Sequence, residues 1–205
     1  MPSSDLHGNL VKSKLLYPQI ARILGGVFYQ EASLQDDLER NTDMCVVGMD
    51  GDRIACRVRK HADYLKYAAD FTLRYRLNSG HPTEWHKVLK GWGDYLFYGF
   101  ATEDGKAVAE WRVINLREFR MWHERKSWEM RQDPEFQTWP IEKQTPGWTS
   151  KNSDDGVLFK IYTLKGKRAV PLSLLTAHSG DITTTGMRVT GFKGNEVGAL
   201  FGGQP

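Results

Sequence analysis

Two short runs rich in β-forming residues, separated by a tight-turn signal, constrain the fold of this chain more than any other feature. The runs cover residues 44–47 and 53–59, and the segment between them contains Asp50-Gly51. An Asp-Gly pair between two such runs is typical of a two-residue β-hairpin turn. The sequence therefore predicts two antiparallel strands that lie side by side early in the chain.

The segments around this hairpin predict an α/β chain of the α+β kind, with a central mixed sheet flanked by helices. Apolar residues recur at helical spacing after Ser13, and Pro18 lies in the first turn, where a missing amide is tolerated. The order that follows the hairpin is strand, helix, two strands and helix. We expect these elements at residues 71–76, 82–92, 95–101, 107–116 and 117–131.

The pattern changes after residue 132, where prolines interrupt a connection that has no hydrophobic period. Two further short strands are predicted, at 157–164 and 169–175, followed by a tail in which threonine and glycine dominate. We expect that tail to be loosely anchored. The predicted organisation is one globular domain with a core at 1–132, a connection with two packed strands at 133–177 and the tail at 178–205.

The composition suits a soluble protein with one well-filled core. The chain has 205 residues, of which 40% are hydrophobic and 12% aromatic, and its formal net charge is only +3. Its two cysteines, Cys45 and Cys56, fall inside predicted strands. No apolar run approaches the roughly 20 residues that a membrane span needs. We therefore expect a cytoplasmic protein with reduced thiols and no membrane contact.

The hairpin also carries the residues from which a catalytic site could be built. Asp43 stands at the mouth of the first strand, while Arg57 and Arg59 project from one face of the second. The residues that alternate with the arginines are apolar and are predicted to face the core. A phosphodiesterase needs carboxylates to hold a divalent cation and a nearby cation to offset the developing charge.

In this order of elements, residues 19–116 resemble the PD-(D/E)XK nuclease superfamily, which has the restriction-endonuclease-like fold. In that family a helix precedes a hairpin, a lone acidic residue opens one strand, and a carboxylate and a lysine alternate on the next. By position Asp43 matches the lone aspartate, Arg57 the second carboxylate and Arg59 the lysine. The resemblance implies DNA or RNA as partner and Mg²⁺ or Mn²⁺ as cofactor.

Arg57 departs from the family pattern, because a guanidinium cannot bind a cation and repels one. A carboxylate from elsewhere could complete the site. The resemblance implies Glu84, which precedes Lys87 on the following helix, or an acidic residue of the first helix region, either Glu31 or the pair Asp36-Asp37. With such a ligand the protein would be a metal-dependent phosphodiesterase in which Arg59 stabilises charge on the phosphate.

Without such a ligand the site is inactive, and Asp43 only pairs with an arginine. The protein would then be a binding domain, for nucleic acid or for a protein partner, and its tryptophan-rich style suggests a phage-encoded binding or inhibitor protein. The positions of Asp43 and Glu84 also have simpler, structural explanations. Asp43 is suited to a turn before a strand, and Glu84 to the first turn of a helix, where the dipole favours acidic residues.

A second basic stretch predicts contacts to phosphate. Thr72, Arg74 and Arg76 share one face of a predicted strand, and hydroxyl groups and guanidinium forks both bind phosphate oxygens. Together with Arg59 and Lys60 they form the predicted nucleic-acid surface. An exposed edge strand protected by its charges would have the same pattern.

Overall fold

The computed structural model describes residues 14–24, 29–33, 35, 42–46, 52–152 and 156–179. The chain divides into two compact units, each assembled from separate stretches of sequence. The first unit draws on Met1–Ala68, Gly93–Asn115 and Leu175–Pro205, and the second on Ala69–Trp92 and Leu116–Leu174. The two units therefore interleave along the sequence.

The described chain contains nine strands and four α-helices. The strands are β1 (Tyr29–Glu31), β2 (Met44–Val46), β3 (Arg53–Arg59), β4 (Asp70–Arg76), β5 (Tyr95–Ala101), β6 (Val108–Asn115), β7 (Trp148–Lys151), β8 (Leu158–Thr163) and β9 (Leu175–His178). The helices are α1 (Tyr17–Ile23), α2 (His61–Tyr67), α3 (Glu84–Leu89) and α4 (Leu116–Arg131). Within the described ranges, none of these helices has the length and apolar character that a membrane span requires.

The first unit contains a mixed sheet whose described strands follow the order β1-β2-β3-β5-β6-β9. Strands β3 and β5 are parallel, and the other neighbours are antiparallel. The hairpin predicted from the sequence is confirmed, since Met44 lies opposite Ile54 and Cys45 opposite Arg53. Its Asp-Gly turn lies outside the described residues. The mixed α/β class with a central mixed sheet is thus the observed one.

One face of this sheet packs against α1. Tyr17, Ile20 and Ile23 of the helix form a buried cluster with Met44 and Ile54 of the hairpin. Further along β3, the side chains of the alternating residues 56 and 58 pack against the same cluster. Side chains two apart on a strand share a face, so the apolar face of β3 is the one that the sequence predicts. Burial of this face provides the main stabilisation of the first unit.

Strand β5 is buried in the middle of the sheet. Its residues Leu96, Phe97, Tyr98 and Phe100 are fully buried, which confirms the buried strand expected from its apolar run. An arginine–aspartate pair fixes where β5 begins against β3. The carboxylate of Asp94 accepts hydrogen bonds from the side-chain Nε of Arg53 at 2.9 Å, from its Nη2 at 3.0 Å and from its backbone N–H at 2.9 Å. Such a forked pair holds two strands in one register.

The second unit contains a smaller antiparallel sheet, with the described strands in the order β4-β8-β7. An aromatic core lies over it, in which the Phe71 ring stacks on Tyr162 at 5.1 Å and Phe119 meets Tyr162 edge to face at 4.9 Å. The Nε1–H of Trp85 donates to the Tyr162 hydroxyl at 2.9 Å, which satisfies a buried polar pair. Burial in this core lowers the pKa of His123 to about 4, so its ring is neutral at neutral pH.

Most helices and strands with a clear hydrophobic period agree with the sequence prediction. The differences have local causes. Helix α2 and strands β1 and β7 are not predicted, because each is only three to seven residues long and lacks a clear boundary signal. The strand predicted at 169–175 is wrong. Pro171 has no N–H for a ladder, and a 3₁₀ turn at Leu172–Leu174 follows it before β9 begins at Leu175.

A matched pair of glycines tests the packing of the second unit. Gly147 and Gly166 both have positive φ, at 89° and 88°. A Cβ on Gly147 would lie 2.7 Å from a ring carbon of Tyr162, whereas a Cβ on Gly166 meets no atom within 4 Å. We expect Gly166→Ala to cost about 1 kcal/mol from backbone strain alone, and Gly147→Ala about 1–3 kcal/mol more from overpacking. Chemical denaturation measures both, and equal costs would contradict the packing around Tyr162.

Candidate functional site

Asp43 lies where the sequence predicts it, directly before β2 at the open end of the hairpin. Both its backbone N–H and its backbone carbonyl form hydrogen bonds. The Asp43 N–H donates to the carbonyl of Ile54 at 2.9 Å, and the Asp43 carbonyl accepts from the N–H of Ala32 at 3.1 Å. The main chain at Asp43 is therefore fixed between its two neighbours, and the direction of its side chain is set by the sheet.

The carboxylate of Asp43 links the hairpin to the first helix. One oxygen, Oδ2, accepts a hydrogen bond from the backbone N–H of Cys56 at 2.5 Å. The other, Oδ1, accepts from the hydroxyl of Tyr17 at 3.1 Å. Tyr17 belongs to α1 and is buried, so these bonds connect a helix to two strands. Hydrogen bonds to an ionised carboxylate are among the stronger ones in proteins.

Arg57 and Arg59 lie on the opposite face of β3 from its apolar residues. Across the sheet Arg57 pairs with Tyr98 of β5, and Tyr98 pairs with Arg112 of β6. Residues in register share a face, so a row of two arginines with a tyrosine between them crosses the sheet. Arg59 lies in the next row, beside Phe100. The alternation of Arg57 and Arg59 expected from the sequence is thus observed.

Arg59 is held by helix α2. Its Nε donates to Asp63 at 3.1 Å, and its guanidinium lies over the ring of Tyr67 with 5.6 Å to the centroid. Burial lowers the pKa of Arg59, but Tyr98 and Asp63 raise it by more, so the charge is retained. Lys60 follows directly, exposed at the start of the helix. We refer to Arg57, Arg59 and Lys60 together as the cationic strand end.

Arg112 is a buried cation that the sequence prediction missed. Its side chain is fully buried, and its guanidinium donates to the carbonyl of Ala68. The central carbon of the guanidinium lies 5.8 Å from the ring centroid of Tyr98 and 5.7 Å from that of Phe100. The signal in the sequence is an arginine inside the otherwise apolar run around it. A buried guanidinium needs hydrogen bonds and aromatic faces to offset the loss of water.

The acidic residues proposed as further metal ligands have other partners. In the first unit Glu31 forms an ion pair with Lys14 at 2.9 Å, with both side chains nearly half exposed. Glu84 belongs to the second unit, where it opens α3 and accepts from the backbone N–H of Arg74 at 3.2 Å. Lys87 lies on the same short helix. The pair Asp36-Asp37 lies outside the described residues.

The described residues around Asp43 do not fit a divalent cation by themselves. Mg²⁺ and Mn²⁺ need several oxygen ligands, and Asp43 supplies one carboxylate, each oxygen of which already accepts one hydrogen bond. In the part of the chain that the structure describes, no group of three or more His, Cys, Asp or Glu residues is arranged to hold a metal. No mechanistic step through a metal ion is therefore derived from these side chains.

The second predicted phosphate surface, on β4 of the second unit, is less exposed than expected. Thr72 is buried at 5% exposure. Arg74 is half-buried, and its backbone donates to Glu84. Arg76 is exposed, but its Nη2 pairs with Glu142 at 2.9 Å. The register of β4 against β8 shifts between residues 74 and 76, so strict alternation does not continue to the end of the strand.

Comparison with models of known protein families, and with curated proteins, gives no match to this chain.

The bonds of Asp43 predict a structural role that a stability measurement can test. We expect Asp43→Asn to lower the free energy of unfolding by about 2 kcal/mol, because an amide cannot accept from both donors and loses the charge. Tyr17→Phe removes one donor and should cost about 1 kcal/mol. Denaturant titration followed by circular dichroism gives both values.

Glu103→Gln is the matched control, since Glu103 is an exposed acid in the same unit. It should change stability by less than about 0.5 kcal/mol. If Asp43→Asn is as stable as the Glu103→Gln variant, the carboxylate does not hold the hairpin to the helix.

Proposed function

We propose that the chain is a nucleic-acid-binding α+β protein related to the PD-(D/E)XK nucleases, which contacts phosphates with its own arginines rather than through a metal ion. The architecture of the first unit supports the resemblance. Helix α1 precedes the β2–β3 hairpin, Asp43 opens β2, and β5 returns parallel to β3. The first two of these features are those by which the sequence resembles the family, and the parallel pairing comes from the structure.

The cationic strand end carries this proposal. In a nuclease of the family, a carboxylate at the position of Arg57 holds a metal ion, and that ion neutralises the phosphate. Here Arg57, Arg59 and Lys60 supply positive charge directly at this part of β3. A guanidinium has five N–H donors, so an arginine that already has a protein partner can bind further acceptors. Planar forks of this kind suit phosphate oxygens.

The bonds of Asp43 support binding without hydrolysis at this site. A carboxylate that holds a backbone amide and a tyrosine hydroxyl serves the structure of the hairpin. Metal-dependent cleavage would need further carboxylates, and the described residues of the first unit supply no such group. Recognition of a protein partner instead of nucleic acid, and a phage origin, stay predictions from the sequence alone.

Salt dependence is the property that tests the proposal. A protein that contacts phosphates releases counterions, so its affinity falls linearly with the logarithm of salt concentration. We expect the double variant Arg57→Ala/Lys60→Ala to bind a short DNA duplex more weakly and to reduce that slope by about two. Fluorescence anisotropy of a labelled duplex, titrated at several salt concentrations, measures both quantities.

The double variant Lys90→Ala/Lys106→Ala is a control that removes two exposed cations elsewhere in the chain. It should leave affinity and slope close to those of the wild type. Equal losses in the two double variants would show that binding is not located at the cationic strand end. Absence of binding to DNA and RNA at low salt would favour a protein partner.

A further inference from the structure

A groove of about 950 Å³ opens on the second unit. Its walls are the outer face of α4, the connection that leads into β7, and the turn at residues 167–170. Side chains of Trp122, Tyr162 and Val170 contribute apolar surface to its lining. The volume is at the upper end of the range of about 300–1,000 Å³ for ligand pockets in proteins, so the groove can hold an extended ligand.

The described lining of this groove is strongly cationic. It includes five basic side chains, namely Arg125, Lys126, Lys143, Lys167 and Arg168, and two acidic ones, Glu129 and Glu142. Both acids are paired. Glu129 binds Lys126 at 2.8 Å, and Glu142 binds Arg76 of β4 at 2.9 Å. The charge that the groove presents to a ligand is therefore positive, and the ligand that it favours is an anion.

An exposed aromatic side chain lies among these cations. Trp148 begins β7, and its side chain is 51% exposed. The guanidinium of Arg168 lies over the Trp148 ring, with 4.1 Å from its central carbon to the centroid. Exposure alone does not distinguish Trp148, but its place among the cations of the groove does. Stacked indole and guanidinium groups are surfaces on which nucleobases stack in single-strand-binding proteins.

A buried lysine holds the groove wall in place. The ammonium of Lys160 donates to the carbonyls of Glu142, Thr145 and Gly147 at 2.5, 3.1 and 3.4 Å. Burial lowers the pKa of Lys160 to about 8, so the group is still mainly protonated at neutral pH. These bonds fix the connection that leads into Trp148. A wall that is ordered before binding reduces the entropy that a ligand must lose on binding.

We propose that this groove binds single-stranded nucleic acid, with phosphates on Lys143, Lys167 and Arg168 and a base stacked on Trp148. A duplex hides its base faces, whereas a single strand offers both bases and phosphates to an aromatic, cationic groove. The role of the groove rests on the proposed nucleic-acid binding, but it uses side chains of the second unit only.

Two tryptophans with similar exposure allow a matched experiment. Trp128 lies on α4, is 58% exposed and is not part of the groove lining. We expect Trp148→Ala in the full chain to weaken binding of a labelled oligothymidylate by about 5- to 100-fold, as loss of one stacked base does. Trp128→Ala should leave the affinity unchanged, and Trp148→Phe should restore most of it.

A charge variant tests the phosphate contacts independently of the stacking. Lys167→Glu should weaken oligothymidylate binding and reduce its salt dependence, while Lys165→Glu, two residues away and outside the lining, should have little effect. Both lysines are exposed, so neither substitution disturbs the core. Anisotropy titrations with the same oligonucleotide give all the affinities.

The outcomes separate this inference from the proposed function. If oligothymidylate binds the wild type, Trp148→Ala and Lys167→Glu equally well, the groove is not the site, although nucleic-acid binding stands. If Trp148→Ala loses oligothymidylate binding, the groove is supported. If Arg57→Ala/Lys60→Ala also weakens duplex binding as expected, the proposed function stands as well. A chain that binds neither probe overturns both proposals. Competition by thymidine monophosphate as strong as by the oligonucleotide would overturn the assignment to a strand.

Discussion

The carboxylate of Asp43 joins the first helix to the β2–β3 hairpin in the first unit. It accepts from an amide of β3 and from a hydroxyl of α1, and its own backbone continues the hydrogen bonding of β2. The helix and the hairpin, which also share a buried apolar cluster, are therefore joined by one carboxylate as well. A buried or half-buried charge without partners is costly. The carboxylate of Asp43 therefore requires hydrogen-bond donors around it.

The arginines on the other face of the same sheet are also held by specific partners. Arg112 is fully buried against the rings of Tyr98 and Phe100, and Arg59 is held by Asp63 and Tyr67. A sheet face that contains three arginines cannot serve only as a hydrophobic core. Aromatic rings and a helix carbonyl stabilise the inner cation. We propose that the outer cations near the end of β3 attract phosphates.

The parts of this structure that could be predicted from sequence are those whose signal is local. The Asp-Gly turn, the alternation of residues 53–59 and the apolar run of β5 each follow from neighbouring residues, and the hairpin and the buried strand are confirmed. The assignment of β4 to a separate sheet with β8 and β7 depends on pairing between distant segments. A single sequence gives no direct signal for such pairing.

The contrast between local signals and distant contacts also applies to Asp43 and to the groove of the second unit. The position of Asp43 at the start of β2 was predictable, because strand and turn patterns surround it. Its bond to Tyr17 was not, since 26 positions separate the two residues and a helix brings the hydroxyl close. The groove of the second unit was missed for that reason too. Trp148 begins the short strand β7, which is not predicted from the sequence, and Arg168 stands in a turn after β8, so the two side chains meet only when β7 pairs with β8.

The central claim is that the cationic strand end binds phosphates without a metal ion. The most direct test is the affinity of the wild-type chain for a short DNA duplex, measured once in EDTA and once in Mg²⁺ at equal ionic strength. We expect binding in EDTA, and an affinity in Mg²⁺ that is no higher, because Mg²⁺ competes with the arginines for the phosphates. Binding that appears only with Mg²⁺, and that Asp43→Asn abolishes, would contradict it.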